Sequence, residues 1–418
     1  MNRVPAVRFE GFTDPWEQRK LSSIATSFDY GLNAAATEYD GRNKYLRITD
    51  IDDVTHEFLK SDLTTPLADL AMSADYLLKE GDLLFARTGA SVGKTYLYRQ
   101  FDGMVYFAGF LIRARISEGA DPEFVYQTTL TDTYKKYVAI TSQRSGQPGV
   151  NAQEYADYQL MLPSKTEQQQ IGMTLRSLDS LITLHQRKYE KLCVVKKSLL
   201  DKMFPKPGEL YPEIRFEGFT DPWEQRKLGE LISELSSGKS VNSEKGVVGP
   251  SDIGVLKTSC VSYDTFDPNE CKRVVESEVG MVACPVEAVT LIVSRMNTPD
   301  RVGACGFVPD DRPNLFLPDR LWKVRLTSEA NPYLVFVLLV SDAYKARLKG
   351  MASGTSGSMH NIPKDSFRDL YIVLPKGSKE QRAIGTLFAR LDSLITLHQR
   401  KLELLKNLKA ACLDKMFV

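Results

Sequence analysis

Residues Arg8–Leu21 read RFEGFTDPWEQRKL, and Arg215–Leu228 read the same fourteen residues 207 positions later. Leu178–Lys188 (LDSLITLHQRK) returns as Leu391–Lys401, and Leu200–Phe204 (LDKMF) as Leu413–Phe417, both 213 positions later. The chain is an internal duplication, and such self-similarity outranks any local signal. Between these marks the halves diverge while keeping a common thread. Tyr45–Thr49 lies on Val255–Ser259, Phe85-Ala86-Arg87 on Val293-Ser294-Arg295, and Val92-Gly93 on Val302-Gly303. Pro122 and Tyr134 fall on Pro332 and Tyr344, and Ser145-Gly146 on Ser353-Gly354. A constant frame with variable inserts is expected when function sits on a surface that differs between copies. Pro205–Pro212 holds three prolines and a glycine and reads as a linker.

Residues 166–204 read as one helix. Ile171, Leu175, Leu178, Ile182, His185, Tyr189, Leu192, Lys196, Leu199 and Met203 alternate in steps of four and three, the spacing of a coiled-coil seam. The second copy repeats the register at Ile384, Phe388, Leu391, Ile395, His398, Leu402, Leu405, Lys409, Cys412 and Met416. Each seam needs a partner, and the other copy supplies it as an antiparallel mate. His185, His398, Lys196 and Lys409 are seam misfits that set register at a cost in stability. A metal between the two histidines is the sharper reading, and no neighbouring carboxylate at ligand spacing supports it. Leu181 and Leu184, repeated as Leu394 and Leu397, form a second apolar stripe. It either covers the flank of an insert or docks another subunit; the residues leave both open. The inserts, about 22–160 and 229–372, mix strand-like runs, turns and short helices, so each reads as a mixed α/β domain.

The 418 residues carry 54 basic and 53 acidic groups, 43% hydrophobic and 26% charged residues, which excludes a disordered or collagen-like chain. The longest apolar run, Tyr333–Val340, is far short of the ~18 residues that span a bilayer. No secretory h-region opens the chain, and six cysteines without a CxxC pair read as reduced thiols, so a cytoplasmic protein is expected.

Gly89–Thr95 (GASVGKT) ends like a phosphate-binding loop, but the first glycine of G-x-x-x-x-G-K-[ST] would fall on Thr88. The second copy has no lysine after Gly303. No catalytic triad, HExxH or zinc pattern appears. Residues 22–160 carry 13 Lys/Arg against 19 Asp/Glu, which argues against indiscriminate DNA binding and for a small basic face. Candidate contacts are Arg47, Arg87, Lys94, Arg144 and Gln147 in the first insert, and Lys257, Arg295 and Arg301 in the second. Arg47/Lys257 and Arg87/Arg295 stand out because both copies place a cation there.

The start FEGFTDPWEQRKL and the helix LDSLITLHQRK carry a family resemblance. So do a Ser-Gly turn ahead of Leu-Pro and Glu-Gln, here Leu162-Pro163 with Glu167-Gln168 and Leu374-Pro375 with Glu380-Gln381. Over its whole length the chain resembles the specificity (S) subunit of type I restriction–modification enzymes. The resemblance implies a mixed α/β chain with an internal pseudo-twofold repeat. Two globular target-recognition domains would be joined by two long conserved helices forming an antiparallel coiled coil. The expected division is 1–165, first recognition domain; 166–204, first helix; 205–214, linker; 215–378, second recognition domain; 379–418, second helix. Such a subunit is not catalytic. It reads two half-sites of double-stranded DNA across an unread spacer, whose length the helices would set. It holds two methyltransferase (M) subunits and, through them, restriction (R) subunits. S-adenosylmethionine, ATP and Mg2+ are expected on those partners and no cofactor on this chain. Partner docking and pairing would fall on Leu178, Leu181, Ile182, Leu184 and His185, and on Leu391, Leu394, Ile395, Leu397 and His398. Two alternatives stand beside this: a P-loop-like nucleotide-binding enzyme on Gly89–Thr95, and a coiled-coil scaffold without DNA contact.

Overall fold

The computed structural model describes residues 4–144, 146–244, 246, 248–249, 251–356 and 359–418, so Ser145 of the expected Ser-Gly turn lies outside the described residues. The chain forms two compact units, residues 1–188 with 398–418, and residues 189–397. Each unit takes one insert together with part of both long helices.

In the first unit, β1 (Glu17–Lys20) is followed by β2 (Ala25–Tyr30), β3 (Asp82–Ala86), β4 (Thr95–Leu97) and β5 (Leu111–Ile116). Helices α1 (Pro122–Thr128) and α2 (Asp132–Thr141), strand β6 (Gln159–Leu162) and the long helix α3 (Lys165–Lys202) follow, with shorter strands and helical turns between them. The second unit repeats the series as β7 (Glu224–Lys227), β8 (Ile232–Ser237), β9 (Thr290–Ser294), β10 (Cys305–Val308), β11 (Leu321–Leu326), α4 (Pro332–Leu339), α5 (Asp342–Met351), β12 (Tyr371–Leu374) and α6 (Ser378–Lys415). The central sheets run β2-β5-β3-β4 and β8-β11-β9-β10, all antiparallel. Each is buried on both faces. Leu83 and Phe85 pack under α1 and α2 with Val125 and Tyr134, while Leu84 and Ala86 face a second core with Leu46, Val105 and Phe107. Alternation of side chains along a strand makes this two-sided burial possible.

The stretch from Pro122 to Thr141 forms two helices, and so does its counterpart from Pro332 to Met351. Asp121 and Asn331 cap α1 and α4 with side-chain oxygens on Phe124 N and Leu334 N, both at 2.9 Å, and proline follows at the first helical position. The break comes at Thr128–Thr131, where Thr128, Thr129 and Thr131 turn their hydroxyls onto carbonyls three residues back and Thr131 then caps α2.

The exact repeats are the frame that ties insert to helix. Arg8 grips Glu167 with two parallel bonds of 2.6 and 2.7 Å, and Arg215 grips Glu380 at 2.6 and 2.8 Å. Gln168 and Gln381 each accept from the capping residue's amide (Asp121, Asn331) at 2.9 Å and donate to Pro163 O or Pro375 O at 2.8 Å. Strand β1 pairs with β6, and β7 with β12, in the same register. Each repeat's start is closed by the other repeat's end. Val7 N donates to Lys415 O and Ile214 N to Lys202 O, both at 2.9 Å. Trp16 meets Phe417 edge-on and Trp223 meets Phe204 in the same way.

Helices α3 and α6 each start one residue earlier than the expected 166 and 379, and end two and three residues before the expected 204 and 418; at 1.5 Å per residue each is ~57 Å long. They pair antiparallel inside each unit. In the first, Asp179 meets Lys409 at 2.5 Å and His185 meets His398 at 2.7 Å; in the second, Asp392 meets Lys196 at 2.6 Å. The seam lysines are therefore neutralised across the pair, which specifies register.

Candidate nucleic-acid interface

Strand β3 delivers Arg87 to its end, and β9 delivers Arg295 to the matching place. The match is written in the backbone. Arg87 N donates to Phe110 O and Arg295 N to Arg320 O, both at 3.1 Å; Val150 N donates to Arg87 O and Ile362 N to Arg295 O, both at 2.9 Å. The following turns also correspond, since Gly93 and Gly303 both adopt positive φ (83° and 80°) and donate back to Ala86 O and Ser294 O.

The side chains differ. Arg87 lies over the ring of half-exposed Tyr30 at 5.0 Å, and its buried Nε has no partner. Gln147 is exposed on the segment running beside it, where Gly89 N donates to Pro148 O and Thr88 pairs with Gly149. Phe110 is 58% exposed. In the second unit Arg295 Nε donates to Asp319 O at 2.7 Å, and Arg320 is exposed. Met296 and Asn297 pair with Asn361 and His360, and Asn361 Oδ1 is buried without a partner.

The structure thus brings Arg87 and Gln147 together with Tyr30 and Phe110, none of which lies in a motif. The signal that could have found the last two is a glycine pair 207 residues apart, Gly31 and Gly238, each following one of the sheet's edge strands.

The other candidates are engaged locally. Arg47 grips Asp50 at 2.8 and 2.9 Å in a capping box. Its counterpart Lys257 lies 3.4 Å from Glu270. Arg144 binds Glu154 at 2.5 Å and Thr141 O at 2.7 Å. Lys94 donates to Ile51 O at 3.0 Å and sits 2.5 Å from Asp53. Arg301 is exposed, and the next residue's carbonyl accepts from Tyr263. That ring carries Lys345 and Lys349 at 5.2 Å each, and burial, then Asp300, push its hydroxyl up to about 12.

Gly89–Thr95 does not form a phosphate cradle. The amides of Gly89, Val92, Gly93 and Lys94 donate to Pro148, Gly89, Ala86 and Ser91 carbonyls, and buried Thr95 Oγ1 bonds Thr129 Oγ1 at 2.7 Å. A phosphate loop needs those amides, its lysine and its hydroxyl free. The nucleotide-binding alternative is not favoured.

On the helices, Ile182 and Leu391 are buried and Leu178 packs with the first unit's helix core. Ile395 is half-buried. The second stripe stays open to solvent, with Leu181, Leu184, Leu394 and Leu397 all 42–45% exposed.

Comparison with known proteins agrees with this architecture. Residues 13–193 match the type I restriction modification DNA specificity domain. The chain is 22% identical over 363 residues to the type I restriction enzyme MjaVIII specificity subunit of Methanocaldococcus jannaschii, covering 84% of this chain and 82% of that one. It is 27% identical over 200 residues to the EcoEI specificity subunit of Escherichia coli, covering 47% of this chain and about a third (34%) of that protein's length. The crystal structure of a type I restriction-modification S subunit from M. genitalium shares the fold, with a TM-score of 0.68 at 15% identity over 99% of both chains. The chain is thus similar in sequence and in fold to the type I specificity subunits.

No helix among the described residues is long and apolar enough to cross a membrane. Among them, no group of three or more His, Cys, Asp or Glu could hold a metal. His185 and His398 bond each other through their Nδ1 atoms, which occupies the lone pair a metal would need there.

Proposed function

We propose that each unit reads one half of a bipartite double-stranded DNA site through the face around Arg87 or Arg295. The observation that supports this is one backbone frame, bond for bond, presenting two different sets of side chains. Base edges in the major groove are distinguished by arginine, amide and apolar groups, and such groups gather at this position in both units. One half-site of a few base pairs carries too little information in a genome; two readers in one chain multiply their discrimination. Arg47, Lys257, Lys94 and Arg144 have carboxylate partners, so phosphate contact or fold maintenance is their better role; Arg301, with Lys345 and Lys349, suits phosphates.

The repeated leucine pairs Leu181/Leu184 and Leu394/Leu397 suit two equivalent methyltransferase subunits, one on each, with restriction subunits joining through them. On this reading methyl transfer and ATP-driven cleavage, with S-adenosylmethionine, ATP and Mg2+, reside on the partners, and the complex works in the cytoplasm. A DNA shift assay with and without methyltransferase subunits tests it. The assembled complex should shift one duplex sequence selectively. Assembly without any DNA shift would favour the scaffold alternative.

A further inference from the structure

The residue just ahead of β5 and of β11 sits in a turn packed against the end of the neighbouring edge strand. In both copies that edge strand, β2 or β8, is followed by a glycine, Gly31 or Gly238, on which a Cβ would run into the carbonyl of Ala108 or Leu317. Gly31 N donates to Leu111 O, and Leu32 N and Gly109 N lock the first turn against Phe107 O and Leu32 O. The last turn residue then hands its carbonyl to Arg87 or Arg295. A backbone held this firmly would tolerate many side chains at its tip.

The two copies use that freedom differently. The first presents Phe110, 58% exposed, beside Arg87 and Tyr30. The second presents Arg320, exposed and, among the described residues, without an ion pair. A single exposed phenylalanine is ordinary on a protein surface. This one sits where the frame is constant, the chemistry changes between copies, and an arginine borders it each time.

We propose that this turn is the reading head of each unit, with Phe110 packing on the thymine methyl of an A·T pair in one half-site and Arg320 bonding guanine O6 and N7 in the other. The assignment rests on the DNA-reading function proposed above. Exchange at this position alters specificity without altering the fold, because neither side chain contributes to the core.

The test uses the full chain assembled with its methyltransferase subunits, and competition binding against duplexes in which each base pair of both half-sites is changed singly. Phe110→Ala should reduce discrimination at one A·T position, leaving the other half-site and the melting temperature unchanged. Arg320→Ala should reduce discrimination at one G·C position of the opposite half-site by about five- to 150-fold. Phe110→Arg should move the preference at the first position towards G·C. Selective binding with an unaltered position-by-position profile in Phe110→Ala and Arg320→Ala would overturn the assignment, as would an equal loss at every position. A wild-type complex with no sequence preference would instead remove the DNA-reading function itself.

Discussion

Glu167 is fully buried and held by both nitrogens of the Arg8 fork, and Glu380 is held in the same way by Arg215. Bidentate pairs of this kind fix geometry as well as energy. Removing one member strands the other, which costs ~3–5 kcal/mol for a buried pair. Glu167→Ala should therefore lower the unfolding free energy by about that much in urea titration, and Glu380→Ala by a similar amount. Replacing both members, as in Arg8→Met with Glu167→Leu, should recover part of the loss. The recognition face follows a different logic. Arg87→Ala should weaken specific binding by ~1–3 kcal/mol if the arginine reads a base, and should weaken all sequences equally if it holds a phosphate. Arg47→Ala should instead lower the melting temperature, because Asp50 loses its partner. Arg87 and Arg295 could be matched from sequence because each follows a strand-like apolar run just ahead of a Val-Gly turn. Arg47 reads from sequence as a candidate DNA contact, and only the structure shows its side chain taken up by Asp50 three residues on. Tyr30, Phe110 and Arg320 were not legible in the sequence, because only three-dimensional pairing brings them to Arg87 and Arg295.

The helices were legible in the chain because a seam needs nothing but spacing. Their partner choice was legible because two seams of the same register occur once each. The split of the shorter helices was not, since the threonines of Thr128–Thr131 compete for backbone carbonyls in a way apolar periodicity ignores. The seam also carries a pH dependence. His185 is pushed below the usual histidine range by burial first, then by His398, and by the Lys401 and Lys188 ammoniums. His56, in the first insert, is lowered mainly by burial, with Lys409 and Lys94 adding to it. Both groups are neutral in folded and unfolded chains at high pH. As pH falls below ~6.5 the unfolded chain takes up protons that the folded chain resists, so stability drops. The melting temperature should fall between pH 7 and pH 5. The fall should be smaller in His185→Asn with His398→Asn, and should not vanish there, because His56 remains. A double variant with the wild-type slope would show that His185 does not titrate with folding.

At the scale of the molecule, the duplication explains why opposite ends of the chain carry matching bonds. Lys415 closes the first repeat on Val7 as Lys202 closes the second on Ile214. Each insert is thereby framed by the same parts, while its sheet order and core are built from sequences with almost no identity. That is why the twofold frame was readable from repeats alone and the sheet order, β2-β5-β3-β4 and its counterpart, was not. The central claim is that the two inserts are independent readers on this common frame. The most direct test replaces residues 22–160 with the first insert of a type I specificity subunit and sequences methylated DNA from cells carrying the hybrid. One half of the methylated site should change to that of the donor while the other half stays as in the wild type. A site altered in both halves, or in neither, would contradict the account.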